Sequence, residues 1–150
     1  MNEPTTLEEA RDWLAERMDE GADCPCCGQR AQVYRRKINS GMARALIVMW
    51  RAAGTGWCHV PTVVGGRSSD ECKLVYWGLI EEERVRRPDG GRAGWWRVTE
   101  DGARYVHGQL LLPKYALIYN GDCLGLEGER VGILSALGTK FDYDDLMAGR

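Results

Sequence analysis

Gly78-Leu79-Ile80, Trp95-Trp96-Arg97-Val98 and Thr99-Glu100-Asp101-Gly102 are the stretches that decide the fold of this 150-residue chain. The first ends a helix and leads into a strand of mostly charged residues, from Glu81 to Arg87. The second is rich in strand formers, and the third opens with a favoured helix N-cap. Residues 88–94 between the two strands are rich in turn formers. The pattern therefore predicts a β-hairpin with a long loop, placed between two helices.

Two more helices are predicted before this hairpin. Asn39 and Ser40 are suitable caps for a helix from about Gly41 to Ala53. That helix is apolar on nearly every side, so we expect it to be buried. Trp57-Cys58-His59-Val60 is a short apolar run, and after a glycine turn a further helix runs from Ser68 through Leu79. The helix that Thr99 caps is expected to run to about Leu112.

The two ends of the chain predict further elements. Thr6 and Glu9 have the spacing of a capping box, and an apolar stripe from Leu7 to Met18 indicates a helix. Arg30 to Ile38 contains good strand formers and is expected to form a strand, although its alternation of apolar and polar residues is poor. Asn120-Gly121 is the dipeptide best suited to a tight hairpin. Beyond a boundary predicted at Pro113, that hairpin and a short apolar segment would form a C-terminal appendage.

Length and composition are typical of one α+β domain with small additions. We predict an N-terminal helix, a cysteine knuckle and a basic strand over residues 1–40. A three-helix domain with the hairpin would cover 41–112, and the appendage 113–150. The longest apolar run, Ala45 to Trp50, is too short for a bilayer, and the N-terminus is acidic where a signal peptide is positive. We therefore expect a cytoplasmic protein that does not bind membranes.

The net charge of −2 hides a strong segregation of charge along the chain. Residues 1–23 are mostly acidic where they are charged. Residues 24–69 contain no acid and carry the bases Arg30, Arg35, Arg36, Lys37, Arg44, Arg51 and Arg67. Residues 84–97 add five arginines against one aspartate. A basic middle between acidic ends predicts a positive face of the kind that binds phosphates, and arginines scattered over a solvated surface are the alternative.

Cys24-Pro25-Cys26-Cys27-Gly28 resembles the knuckle of a zinc ribbon, in which a tight turn lets two thiolates bind one metal ion. Cys24 and Cys27 are the predicted ligands, and Zn²⁺ is the predicted ion. No second C-x-x-C or H-x-x-H pair occurs, so the other ligands stay open. Cys58 and His59 are the neatest candidates, and the others are Cys26, Cys72, His107 and Cys123. Reduced structural thiols and a redox-active pair are the alternative interpretations.

From Tyr76 through Gly102 the chain resembles winged helix-turn-helix proteins of the bacterial and phage regulator type. In these proteins a Gly-Leu-Ile signature precedes the wing, and a Thr-Glu-x-Gly signature follows it. The resemblance implies a module that presents one helix and one wing to a nucleic acid. Residues 24–40 and 137–143 look like small proteins of actinobacterial phages, which implies a phage origin.

Together these features predict a non-enzymatic winged-helix protein that binds nucleic acid and acts as a phage-type transcription regulator. DNA is the favoured ligand. Residues of the second helix would approach the groove, and arginines of the wing would anchor phosphates. Residues 35–37 would extend the positive face. The predicted contacts are Arg35, Arg36, Lys37, Arg67, Ser69, Lys73, Arg84, Arg86, Arg92 and Arg97.

A different class of function is also open. The predicted recognition helix begins with Asp70 and Glu71, whose charges suit the helix dipole but repel phosphates. The competing hypothesis is an adaptor that binds a host or phage protein, and a second copy of the chain is a further candidate partner. A catalytic thiol at Cys58 is a third hypothesis. Neighbours along a strand point to opposite faces, however, so its adjacency to His59 does not make a dyad, and we predict no catalytic residue.

Overall fold

The computed structural model of the chain describes residues 6–65, 70–83 and 94–149. It combines helices with small antiparallel sheets, which confirms the α+β class. The chain forms two compact units. The first consists of Met1–Arg36 and Tyr115–Glu127, and the second of Lys37–Lys114 and Gly128–Arg150.

The first unit begins with helix α1, Leu7–Ala15. Its N-cap is Thr6, whose hydroxyl accepts a hydrogen bond from the Glu9 amide at 3.1 Å, so the predicted capping position is confirmed. A small antiparallel hairpin follows, made of β1, Ala22–Asp23, and β2, Arg30–Ala31.

The longest strands form a three-stranded sheet in the order β3-β7-β8. β3 is Tyr34–Lys37, β7 is Leu112–Tyr119 and β8 is Asp122–Val131. Asn120 and Gly121 join β7 to β8 with φ angles of 51° and 83°. Two positive φ angles are what a two-residue type I′ turn requires, so the predicted hairpin is confirmed.

The continuous strand expected over residues 30–38 is wrong. The segment divides into β2 and β3, with Gln32 and Val33 between them. The Val33 amide donates to the Met18 carbonyl at 2.8 Å, so it is bound to the chain that follows α1 and not to a neighbouring strand. The poor alternation of apolar and polar residues in this segment agrees with that interruption.

The second unit is built around α2, Ser40–Ala53, which contacts five other helices and the sheet strands β4 and β6. Asn39 caps it by accepting from the Met42 amide at 2.9 Å. Leu46, Ile47 and Met49 are completely buried. The expected buried helix is therefore confirmed, and it is the centre of the core.

A three-stranded antiparallel sheet covers part of this core. Its strands are β4, Cys58–His59, β5, Ile80–Glu82, and β6, Trp95–Val98, in the order β4-β6-β5. Cys58 pairs with Trp96, and Glu81 pairs with Arg97. A single helical turn, α3, Val60–Val63, directly follows β4.

The helix expected from Ser68 through Leu79 is a 3₁₀ helix over Asp70–Trp77 in the described residues, not an α-helix. Leu74 and Trp77 are its buried side chains, and a spacing of three suits a helix with three residues per turn. Gly78, with a φ of 73°, ends it. The Trp77 indole N–H donates to the Pro113 carbonyl at 2.8 Å and fixes this end of the helix.

Helix α4, Glu100–Val106, is shorter than expected. Thr99 caps it as predicted, because its hydroxyl accepts from the Gly102 amide at 3.0 Å. Gly108 adopts a φ of 73° just after the helix, which stops it well before Leu112. Pro113 lies near the start of β7, where a missing N–H is tolerated.

Two short C-terminal helices complete the second unit. They are α5, Ile133–Leu137, and α6, Tyr143–Ala148, and both contact α2. The Tyr143 hydroxyl donates to the Val106 carbonyl at 2.7 Å, which ties α6 to the end of α4. None of the helices in the described ranges is long and apolar enough to span a bilayer.

Tyr105 presents a test of this core. Its side chain is fully buried, and within the described part of the chain its hydroxyl has no hydrogen-bond partner. Burial also raises the pKa of this phenol. A buried hydroxyl without a partner is destabilising, so we expect Tyr105→Phe to raise the free energy of unfolding in urea by about 1 kcal/mol.

Tyr143→Phe is the matched control, because the same atom is removed from a hydroxyl that is hydrogen-bonded. We expect this variant to lose about 1 kcal/mol. A destabilised Tyr105→Phe protein would show that the hydroxyl has a partner in solution.

Candidate nucleic-acid interface

The outer face of the β4-β6-β5 sheet carries the side chains of interest. Along β6, Trp96 and Val98 are buried, whereas Trp95 and Arg97 are partly exposed. Successive residues of a strand point to opposite faces, so Trp95 and Arg97 share the outer one. The two adjacent tryptophans thus lie on opposite faces, with Trp96 in the core and Trp95 at the surface.

Two neighbours extend this surface. His59 pairs with Trp95 across the strands, and their ring centroids are 5.5 Å apart. The Arg97 guanidinium lies over the Trp57 ring, 4.8 Å from its centroid. Trp57 is 39% exposed. We call Trp57, His59, Trp95 and Arg97 the aromatic-basic face.

An ion pair occupies Arg97 in this structure. Its Nε and Nη2 atoms donate to one oxygen of Glu81 at 3.0 and 2.7 Å. The two residues are directly paired across β5 and β6, which explains the contact. Their side chains are 41% and 50% exposed. Exposed pairs of this kind contribute about 0–1 kcal/mol, so a phosphate can displace the carboxylate at small cost.

On this face, His59 also makes a hydrogen bond with a residue close to it in the sequence. His59 Nδ1 lies 2.6 Å from the Thr62 hydroxyl, on the first turn of α3. This hydrogen bond fixes the imidazole against the end of β4. The ring plane is tilted by 48° from that of Trp95. His59 is thus packed against Trp95, and its ring forms part of the outer face of the sheet.

The predicted contact residues fall in different parts of the structure. Lys37, Lys73 and Arg97 belong to the second unit, whereas Arg35 and Arg36 belong to the first. The following lie outside the described residues: Arg67, Ser69, Arg84, Arg86 and Arg92. The predicted gathering of all basic stretches on one surface therefore stays a prediction.

Arg35 is also engaged with groups of its own unit. Its Nε donates to Glu127 at 2.7 Å, and its guanidinium lies 4.1 Å from the centre of the Tyr115 ring. Arg36 and Lys37 are exposed on β3. Lys73 is half-buried on the 3₁₀ helix. The exposed basic groups of β3 are thus free to reach solvent anions, while Arg35 has to exchange one carboxylate first.

The predicted metal ligands lie at the tip of the β1-β2 hairpin. Cys26 and Cys27 are exposed, and Cys24 is half-buried. Hydrogen bonds from the backbone N–H groups of Cys27 and Cys26 lower the pKa of the Cys24 thiol, and the neighbouring thiols add to this effect. A thiolate is the form that binds metals, so the hairpin favours that form at Cys24.

The suggested partner ligands in the second unit have other surroundings. Cys58 is buried, and desolvation raises the pKa of its thiol, which keeps it protonated at neutral pH. Over the ranges 6–65, 70–83 and 94–149, no group of three or more His, Cys, Asp or Glu side chains is placed to hold a metal ion.

The sequence alone does not identify Trp57 as a surface residue, because it lies in a short apolar run. It offers His59 as a candidate zinc ligand and not as a neighbour of Trp95. The alternation along β6 does indicate from the sequence that Trp95 and Arg97 share a face, which is the face that Trp57 and His59 extend. What the sequence lacks is the register that places His59 beside Trp95.

No protein-family model, no curated protein and no solved structure matches this chain. Its function is therefore inferred from the residues and the geometry described above.

Proposed function

We propose that the chain is a nucleic-acid-binding protein, in the first place a DNA-binding regulator of the phage type, and that its second unit is a winged helix-turn-helix. The observation that carries the proposal is the aromatic-basic face, where an exposed tryptophan lies against an arginine on the outer side of a sheet. No group in this proposal acts as a catalyst.

The order of elements supports the fold assignment. α2 is followed by β4, α3, the 3₁₀ helix, β5 and β6, and β6 lies between the other two strands. Winged helix-turn-helix domains have this order of helices and strands, with the wing between the second and third strands. In this chain the wing corresponds to residues 84–93, which lie outside the described part.

The chemistry of the face supports the ligand class. An arginine guanidinium forms bidentate hydrogen bonds with phosphate oxygens, and Arg97 already holds an anionic oxygen through two nitrogens. An exposed indole such as that of Trp57 offers a surface on which a base or a deoxyribose can pack. The sequence of the proposed wing contains four arginines, Arg84, Arg86, Arg87 and Arg92, which would add positive charge to the proposed interface.

A protein-binding adaptor is the second candidate, and a specific observation favours it. Arg97 and Arg35 both bind carboxylates of the chain itself. An arginine that binds a glutamate of its own unit in this way can equally bind an acidic side chain of a partner protein. The first candidate function requires a polyanionic ligand and the second does not. A measurement of nucleic-acid binding therefore distinguishes them.

Fluorescence anisotropy with a short labelled duplex tests the proposal. Titrations between about 50 and 200 mM NaCl give the slope of log K against log salt concentration. Three to five phosphate contacts predict a slope of about −3 to −5, because each contact releases condensed counterions. Absence of binding even at about 50 mM salt would reject the nucleic-acid ligand and leave the adaptor.

Glu81→Gln provides a further prediction. The substitution removes the carboxylate that holds Arg97 and leaves an uncharged side chain of the same shape. Arg97 is then available to a phosphate without an exchange step. We expect the affinity for the duplex to rise roughly two- to fivefold, in line with the small contribution of an exposed ion pair.

Glu129→Gln is the control for Glu81→Gln, because it removes the same charge from an exposed glutamate that pairs with Lys114 at 3.6 Å. An equal rise in both variants would mean that only the net charge matters. A rise confined to Glu81→Gln would assign the effect to Arg97.

A further inference from the structure

A cavity of about 440 Å³ lies beside the β3-β7-β8 sheet, and every residue that lines it belongs to the first unit. The sheet contributes Arg35 from β3, Leu117 from β7 and Glu127 from β8. Asp19, which follows α1, lines it as well. Small-molecule sites in proteins occupy about 300–1,000 Å³, so the cavity has the size of a ligand site.

Arg35 is held in place across this sheet. β7 lies between β3 and β8, so Arg35 and Glu127 belong to strands about 9.5 Å apart. The guanidinium lies 4.1 Å from the centre of the Tyr115 ring on β7, and its Nε lies 2.7 Å from a Glu127 oxygen. The side chain therefore reaches over the middle strand to the far one. Because Nε binds Glu127, the two Nη groups are the donors that remain for a ligand.

The chain after α1 adds a carboxylate to the lining. The Val33 amide donates to the Met18 carbonyl at 2.8 Å, which holds the next residue, Asp19, beside the start of β3. Asp19 is exposed, and within the described part of the chain it has no ion-pair partner. Its charge is therefore available to a cationic group of a ligand.

Two half-buried side chains, Val33 and Leu117, supply apolar surface to the cavity. Leu117 and Tyr115 are alternate residues of β7 and share a face of the sheet, which is the face that Arg35 covers. The cavity thus combines a guanidinium, a carboxylate without a cation and an apolar wall.

We propose that this cavity binds a small zwitterion with an apolar side chain, as in a free amino acid or a dipeptide. The Nη groups of Arg35 bind the carboxylate of the ligand, Asp19 binds its ammonium group, and its apolar side chain packs on Leu117. A ligand with a single charge would leave Asp19 or Arg35 beside a like charge, so a ligand with both charges is complementary to the lining. The inference concerns the first unit alone and does not depend on the proposed nucleic-acid ligand.

Titration of the full chain with L-leucine and with the dipeptide Leu-Leu, followed in ¹⁵N–¹H spectra up to about 10 mM probe, tests this inference. We expect saturable shifts at Arg35, Leu117 and Glu127, and the probe that binds more tightly decides between an amino acid and a dipeptide. Converting its carboxylate to an amide should weaken binding roughly five- to tenfold, and acetylating its amino group roughly two- to fivefold. Failure of both probes to give saturable shifts, or unchanged affinity of both blocked forms, would overturn the inference.

Arg35→Gln and Arg30→Gln form the matched pair of variants. Arg30 is also a half-exposed arginine of the first unit that pairs with a carboxylate, Asp23, but it does not line the cavity. Arg35→Gln should weaken binding of the probe roughly five- to tenfold, whereas Arg30→Gln should bind it as the wild type does. Circular dichroism establishes that both variants fold.

Asp19→Asn is a second variant, because it changes an exposed side chain outside the sheet. It should weaken binding of the zwitterionic probe and leave that of the acetylated probe unchanged, since the acetylated probe has no ammonium group to bind. Equal affinities of Arg35→Gln and Arg30→Gln for the probe, or an equal loss for both probes in Asp19→Asn, would contradict the proposed contacts.

Discussion

Gly102→Ala is expected to lower the free energy of unfolding by about 3 kcal/mol or more. A Cβ atom at this position, in the first turn of α4, would collide with the Leu79 carbonyl oxygen and lie 2.7 Å from Val98 Cγ1. The obstacle is backbone, so a change of rotamer cannot relieve it. α4 would have to move away from the sheet, which breaks the 3.0 Å hydrogen bond from Thr99 N to Leu79 O.

Gly41→Ala is the control for this substitution, since Gly41 occupies the first turn of α2. A Cβ there meets only Asn39 Oδ1, at 3.4 Å. We expect a change of less than about 1 kcal/mol, and in the stabilising direction, because alanine restricts the unfolded chain. Urea denaturation measures both variants. Equal stability of the two would contradict the close packing of α4 on β5 and β6.

The largest functional effect is expected for the double substitution of Arg97→Gln and Lys73→Gln. Each cation is proposed to contact one phosphate, so the salt slope should become less steep by about 2. At about 50 mM salt the affinity should fall roughly ten- to a hundredfold. Neither side chain is buried in the core, so the stability of the protein should change little.

Arg104→Gln with Lys114→Gln removes the same charges elsewhere in the second unit. These side chains pair with Asp101 and Glu129, both at 3.6 Å, and neither belongs to the proposed interface. The control should retain most of the wild-type affinity. An equal loss in both double variants would show that net charge, and not the proposed phosphate contacts of Arg97 and Lys73, determines binding.

The elements that the sequence predicts best are those with a local physical signal. Thr6, Asn39 and Thr99 cap helices because a short polar side chain can accept a backbone N–H, and this depends on few neighbours. Asn120-Gly121 specifies its turn for the same reason, since both residues tolerate a positive φ.

The errors arise where a distant part of the chain decides the outcome. The helix that ends at Trp77 is 3₁₀, with a tertiary hydrogen bond to Pro113 that no sequence window contains. The strand expected over residues 30–38 is interrupted by a bond to Met18. The site shows the same limit, because the ion pair between Arg97 and Glu81 follows from the register of β5 and β6.

The most direct measurement of the proposed interface is a ¹⁵N–¹H spectrum of the protein titrated with the duplex. The chain has 6 tryptophans, each with its own indole N–H signal. If the aromatic-basic face binds DNA, the signals of Trp57 and Trp95 and the Arg97 Nε–H signal will shift, while that of buried Trp77, bonded to Pro113, will not. A spectrum that stays unchanged with excess duplex at low salt would contradict the account.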